Sequence, residues 1–174
     1  ANAESLDDKE YTSGMVESRD KFGFAFGRLE ARIRFPQQQG LLSALWLLGS
    51  EGDYTEIDVA EMVGHENDTI YGVNHYMSKG RLKSTHGYAT VDDTDAFHVY
   101  AVEWTQEQIR WYVDGMLYFS TDKSVPQQDM YIIISLAVGG EWPGRPEDDT
   151  VFPCTMAVDY VRLFKGAHNT EVES

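Results

Sequence analysis

The sequence predicts an all-β fold, a two-sheet antiparallel sandwich, on three observations. Ten segments rich in β-branched and aromatic residues recur at short spacing, with Gly, Pro or acidic residues between them, while helix signals are few. One segment alternates cleanly: Leu29, Ala31, Ile33 and Phe35 fall on one face, Arg28, Glu30, Arg32 and Arg34 on the other. That is the pattern of an antiparallel sheet with one dry and one wet side. Finally, Asp114-Gly115 sits between two β-rich runs, a strong short hairpin signal.

The extended segments run in order as Tyr11 to Ser18, Phe24 to Phe35, Leu41 to Leu48 and Tyr54 to Val63. They continue as Thr69 to Met77, Phe97 to Thr105, Gln108 to Val113, Met116 to Thr121, Met130 to Val138 and Met156 to Phe164. Ile132-Ile133-Ile134 is an unbroken apolar run and is expected in an interior strand covered on both sides. Residues 1–10 are polar and acidic and are expected to be flexible, as is the tail 167–174. Residues 11–166 then form a single domain, the economical division of 174 residues. Neither a repeat nor a low-complexity tract is evident.

Composition narrows the chemistry. At 42% hydrophobic and 13% aromatic, the chain can build a substantial core. A net charge of −15 disfavours nucleic acid, whose binding relies on Lys and Arg neutralising phosphates. It disfavours anionic membranes too, and no apolar run has membrane-spanning length. The lone Cys154 rules out an intrachain disulfide and reads as a buried thiol. His65, His75, His86, His98 and His168 lack the short paired spacing of zinc sites. The run Asp92-Asp93-Thr94-Asp95 lacks the Gly and terminal Glu of a calcium loop. A phosphate-binding Gly loop and a Ser nucleophile elbow are likewise missing.

The most informative segment is Glu56-Ile57-Asp58-Val59-Ala60-Glu61. On a strand Glu56 and Asp58 share a face while Ile57 and Val59 share the other. In unbroken register Glu61 would point into the apolar side, where an unpaired charge is costly. One inserted residue, a β-bulge at about Val59-Ala60, turns Glu61 to the face of the other two acids and returns Met62 to the core. Three carboxylates on one sheet surface suit the paired-acid chemistry of glycoside hydrolysis, whose retaining form sets two carboxyls about 5–5.5 Å apart. The alternative is a solvated acidic strand face, ordinary in a chain with 29 acidic residues.

Aromatic residues are the second indication, because Trp and Tyr surfaces bind the apolar faces of sugars. Trp142 lies in Gly139-Gly140-Glu141-Trp142-Pro143-Gly144, too rich in Gly and Pro for a core strand, and reads as a ligand platform. Trp46 and Trp104 sit in strands, where core packing is the default. His75 falls on a strand expected beside the acids, with a hydrogen-bonded structural role as its alternative.

At these residues the chain resembles glycoside hydrolase family 16, and within it the laminarinase-like endo-β-1,3-glucanases. The acidic hexapeptide looks like the family's catalytic motif in its bulged form. The resemblance extends through Tyr11-Thr12-Ser13-Gly14, Phe26 to Ile33, Gly40 to Gly49, Phe97 to Thr105 and Ile109 to Gly115. Leu136 to Gly144, followed by Val158-Asp159-Tyr160-Val161-Arg162, carries the likeness to laminarinases. The resemblance implies a jelly-roll sandwich with a concave cleft for a β-glucan. It implies Glu56 as nucleophile, Glu61 as general acid/base, and Asp58 tuning both. It puts Trp46, His75, Trp104, Glu141 and Trp142 along the cleft, and requires no cofactor for the chemistry. It also allows a structural calcium, with Asp159 as one ligand, and a secreted or periplasmic location.

Three departures from the family pattern stand out. The strands that usually precede the segment matching Tyr11 are not found, so sheet edges are expected to be exposed, filled by rearranged chain, or paired with another copy, giving a monomer or a homodimer. Met15 stands where an Arg usually faces the sugar. Leu42-Ser43 replaces a Trp-Pro pair, and Ala60 is smaller than the usual bulge residue. Two other readings remain beside the β-1,3-glucanase: a non-catalytic β-glucan-binding module of the same fold, and a hydrolase of a marine galactan. Retention of all three carboxylates favours catalysis, and the neutral Trp-bearing loop disfavours the galactan.

Overall fold

The computed structural model describes residues 1–93 and 95–165. Among them it contains thirteen strands and no helix: β1 (Asn2–Leu6), β2 (Lys9–Thr12), β3 (Gly14–Glu17), β4 (Gly27–Arg34), β5 (Leu41–Gly49), β6 (Thr55–Val63), β7 (Thr69–Ser78), β8 (Arg81–Thr90), β9 (His98–Trp104), β10 (Ile109–Val113), β11 (Met116–Thr121), β12 (Met130–Val138) and β13 (Ala157–Phe164). A five-stranded sheet has the order β11-β10-β9-β4-β13, and a six-stranded sheet β3-β12-β5-β6-β7-β8. The sheet pairings are antiparallel, and the two sheets enclose one main core, the expected sandwich.

The alternation in β4 places each residue as expected. Leu29, Ala31, Ile33 and Phe35 are fully buried against Tyr100, Val102 and Trp104 of β9, while the Arg and Glu side chains face outward. The six-stranded sheet contributes Leu45, Leu47, Ile57, Val59, Ala60, Met62 and Ile70 to the same core. Asp114 (φ 49°) and Gly115 (φ 79°) both take left-handed conformations, the geometry of the tight turn that joins β10 to β11. The apolar run in β12 is interior to its sheet, between β3 and β5. Its faces divide: Ile132 and Ile134 pack on the core, and Ile133 lies opposite Trp46 on the outer side.

Two expectations change. Residues 1–10, expected to be flexible, instead form most of a hairpin in which Asn2 pairs with Thr12 and Ala3 with Tyr11. Its start is tied down twice: the Ala1 amino group donates to the Cys154 carbonyl at 2.7 Å, and Cys154 N–H donates to the Ala1 carbonyl at 2.9 Å. The strand β8 was not expected, because it is an edge strand whose residues are exposed or half-buried and so carry no apolar alternation. The tail 167–174 lies outside the described residues.

One side of the sandwich is open. Val16 on the edge strand β3 pairs with Ile134, and Val158 and Val161 on the edge strand β13 pair with Ile33 and Ala31, so all three point to the core side. Yet they are 73%, 37% and 37% exposed. Between the two edges lies an apolar gap of about 480 Å³ lined by Val16, Ile134, Leu136, Met156 and Val158.

Candidate active site

The acids owe their placement to one irregularity in β6. Leu45 pairs with Ala60 and Trp46 with Asp58, so Val59 is the extra residue of a bulge. Val59 and Ala60 both turn into the core, at 1% and 0% exposure, and Glu61 therefore returns to the face of Glu56 and Asp58. The bulge interrupts the ladder to β7, and the freed Asp58 carbonyl accepts a buried hydrogen bond from Trp111 Nε1 at 2.8 Å across the core. Gly72 of β7 makes room for that indole, since a Cβ there would sit 2.5 Å from Trp111 Cδ1. The opposite sheet thus pins the bulge from below.

On the outer face, Glu56 pairs in register with His75, Asp58 with Trp46 on one side and Val73 on the other, and Glu61 with Tyr71. His75 Nε2 lies 3.2 Å from Asp58 Oδ2 and 3.6 Å from Glu56 Oε1. The Tyr54 hydroxyl donates to Glu56 Oε2. Asp58 is almost fully buried, and its Oδ2 has no aligned hydrogen-bond donor.

These surroundings separate the acids electrostatically. Burial, followed by the charges of Asp58 and Glu56, pushes the Glu61 carboxyl up to about 9, so it holds its proton at neutral pH. Glu56 is also raised by burial and by Asp58, but the Tyr54 hydroxyl and His75 pull it back toward the ionised form. Asp58 is raised by burial against the opposing pull of His75. His75 is itself raised, foremost by its contact with Asp58. Glu61, whose rise nothing opposes, suits the acid role, and Glu56, where Tyr54 and His75 counter the rise, suits the nucleophile's.

Of the other expected site residues, Trp46 is half-buried on the acid face with Nε1 donating to Ser135 Oγ at 3.1 Å. Trp142 is 41% exposed and meets Tyr71 edge-on, with ring centroids 5.3 Å apart. Glu141 is exposed on the same loop. Trp104 is a correction. It belongs to the other sheet and is 1% exposed, packed on Phe24 and Phe26, with Nε1 donating to the Pro126 carbonyl. It builds the core rather than a cleft. Asp159 is half-exposed and paired with Arg32, whose Nη1 donates to its Oδ2 at 2.8 Å. Among the described residues, Glu56, Asp58 and His75 are grouped closely enough to hold a metal ion.

Three residues of the site were missed: Tyr54, Tyr71 and Tyr88. Tyr54 and Tyr71 were within reach, because period-two alternation puts Tyr54 on the face of Glu56 and Tyr71 on that of His75. Tyr88, 65% exposed with its ring 6.3 Å from Tyr71, went unnoticed together with its strand.

Comparison with known proteins agrees with this geometry. The family model for Glycosyl hydrolases family 16 matches residues 2–162. The chain belongs to that family. It is 34% identical over 189 residues to a beta-glucanase of Rhodothermus marinus, covering 95% of this chain and 66% of that protein. It is 37% identical over 157 residues to an endo-1,3-1,4-beta-glycanase of Rhizobium meliloti, covering 89% of this chain and 34% of that protein. The chain thus spans about two thirds and one third of those two curated relatives. The solved laminarinase catalytic domain of Thermotoga maritima superposes with a TM-score of 0.85 at 30% identity, over 96% of this chain and 76% of that one.

Proposed function

We propose that this family 16 chain is a retaining endo-β-glucanase that cleaves β-1,3-glucan of the laminarin type. The observation that carries the proposal is the bulge at Val59, which brings Glu56, Asp58 and Glu61 to one face and leaves Glu61 protonated. Glu56 attacks the anomeric carbon while Glu61 protonates the departing glycosidic oxygen. The covalent glycosyl-enzyme is then opened by a water that Glu61 deprotonates, so the anomeric configuration is retained. Burial, and after it the Asp58 charge, keeps the proton on Glu61 in the first step, and Tyr54 orients the nucleophile. Trp46 and the Trp142–Tyr71 pair supply apolar surface for sugar rings on either side of the acids.

The β-1,3 preference draws support from the laminarinase likeness, and tolerance of mixed β-1,3-1,4 linkages from the Rhizobium relative. A polymer of this size does not cross membranes intact, which favours a secreted or periplasmic site of action. The enzyme reading predicts reducing-sugar release from laminarin, falling by at least about 10³-fold in Glu56→Gln because the nucleophile is gone. Equal release by the variant overturns the nucleophile assignment. Proton NMR of the first product is expected to show the β-anomer, and an initial α-anomer excludes retention.

A further inference from the structure

We propose that Glu56, Asp58 and His75 together form a binding site for a zinc-like divalent transition-metal ion, and that occupancy of this site blocks the nucleophile. Each of the three presents one ligand atom, and those atoms lie within 4.8 Å of one another. Tetrahedral zinc with ligands at about 2.0–2.2 Å requires ligand atoms about 3.3–3.6 Å apart. The His75 Nε2 to Asp58 Oδ2 and His75 Nε2 to Glu56 Oε1 separations, 3.2 and 3.6 Å, bracket that edge. The third edge, between Glu56 and Asp58, is within 4.8 Å and would contract on binding.

A second observation points to the same ligand. Asp58 is 2% exposed and its Oδ2 has no aligned donor, although His75 Nε2 is only 3.2 Å away. The two are ion-paired, and a cation that displaces the imidazole proton would take both as ligands at one point. One imidazole with two carboxylates is a donor set suited to zinc, copper or nickel. It is too small and too nitrogen-rich for calcium, which takes six to eight oxygens, or for magnesium with its octahedral preference. The metal would engage the Glu56 oxygen nearest His75, withdrawing electron density from the carboxylate that must attack the sugar. Its binding and substrate binding would therefore exclude each other.

The inhibition rests on the hydrolase reading, but the binding does not, so the two are measured separately. Calorimetric titration of the intact chain with Zn²⁺, and the visible spectrum of added Co²⁺, need no substrate. One ion per chain and an intense tetrahedral Co²⁺ spectrum are expected, with no saturable site for Ca²⁺ or Mg²⁺. Affinity should fall at least tenfold in both His75→Phe and Glu56→Gln, two variants that keep the side-chain bulk. It should stand unchanged in His65→Gln, which removes the more exposed His65–Glu66 pair. Weak multiple binding, or affinity unaltered in either folded site variant, overturns the proposal. In activity assays Zn²⁺ should inhibit laminarin hydrolysis competitively, with reversal by a chelator. Stoichiometric binding with no hydrolysis of any glucan would instead overturn the functional reading and leave the metal site standing.

Discussion

Glu61 shows how a single residue ties stability to catalysis. Its carboxyl is moved from 4.5 to about 9 by burial and by two neighbouring acids, so the folded state binds a proton that the unfolded chain releases. The sign follows directly. Stability from this proton is complete below about pH 4.5 and is lost progressively as pH rises toward 9. Glu61→Gln keeps the shape and removes the titration. It should abolish turnover while raising thermal stability at pH 8, where the wild-type protein has given up most of the stability that this proton confers. The gain should shrink toward pH 5. Scanning calorimetry at the two pH values checks this, and a pH-independent difference would mean that Glu61 is not held protonated. Tyr54 acts on the other acid: burial and Asp58 raise Glu56 as well, but the Tyr54 hydroxyl and His75 oppose that rise, a counterweight that Glu61 lacks.

At the level of the strand, the bulge in β6 was legible because its sequence forbids the regular alternative. Ile57 and Met62 must both be inside, and only an odd residue between them also keeps Glu61 outside. The two strand tryptophans were harder. In β9, Tyr100, Val102 and Trp104 share one parity while Glu103 takes the other, so the core position of Trp104 was present in the alternation and the family likeness overrode it. In β5 both parities are apolar, Leu45 and Leu47 against Ala44 and Trp46. Only pairing with Asp58, a long-range contact absent from the local pattern, fixes the face of Trp46. The anchor of the bulge is equally non-local. Trp111→Phe removes the donor to the Asp58 carbonyl and leaves a buried acceptor unpaired, at a cost of about 1–3 kcal/mol. Because that carbonyl is on the catalytic strand, kcat should fall with KM little changed. Denaturant melts and steady-state kinetics measure both, and full activity in the variant would show that the bulge holds its shape unaided.

Across the whole molecule the two sheets are unequally closed. The interior is complete around β4 and β9, but at the margin beside β4 the edge strands β13 and β3 leave core-facing valines exposed. Nothing in the sequence of Val158 or Val161 distinguishes them from interior residues, because alternation reports which way a side chain points and not what lies above it. Val102 and Val161 allow a matched comparison: the same truncation, on core-facing positions of the same sheet, at 1% and 37% exposure. Val102→Ala leaves a cavity in packed surroundings and should cost about 2 kcal/mol, whereas Val161→Ala, already bordering solvent, should cost under about 1 kcal/mol. Urea titration of both variants at matched protein concentration gives the two differences from shifts in midpoint at constant slope. Equal losses would mean that the gap between β3 and β13 is filled in solution. In that case the energy of closing it, and not only the core between the sheets, would hold the sandwich together.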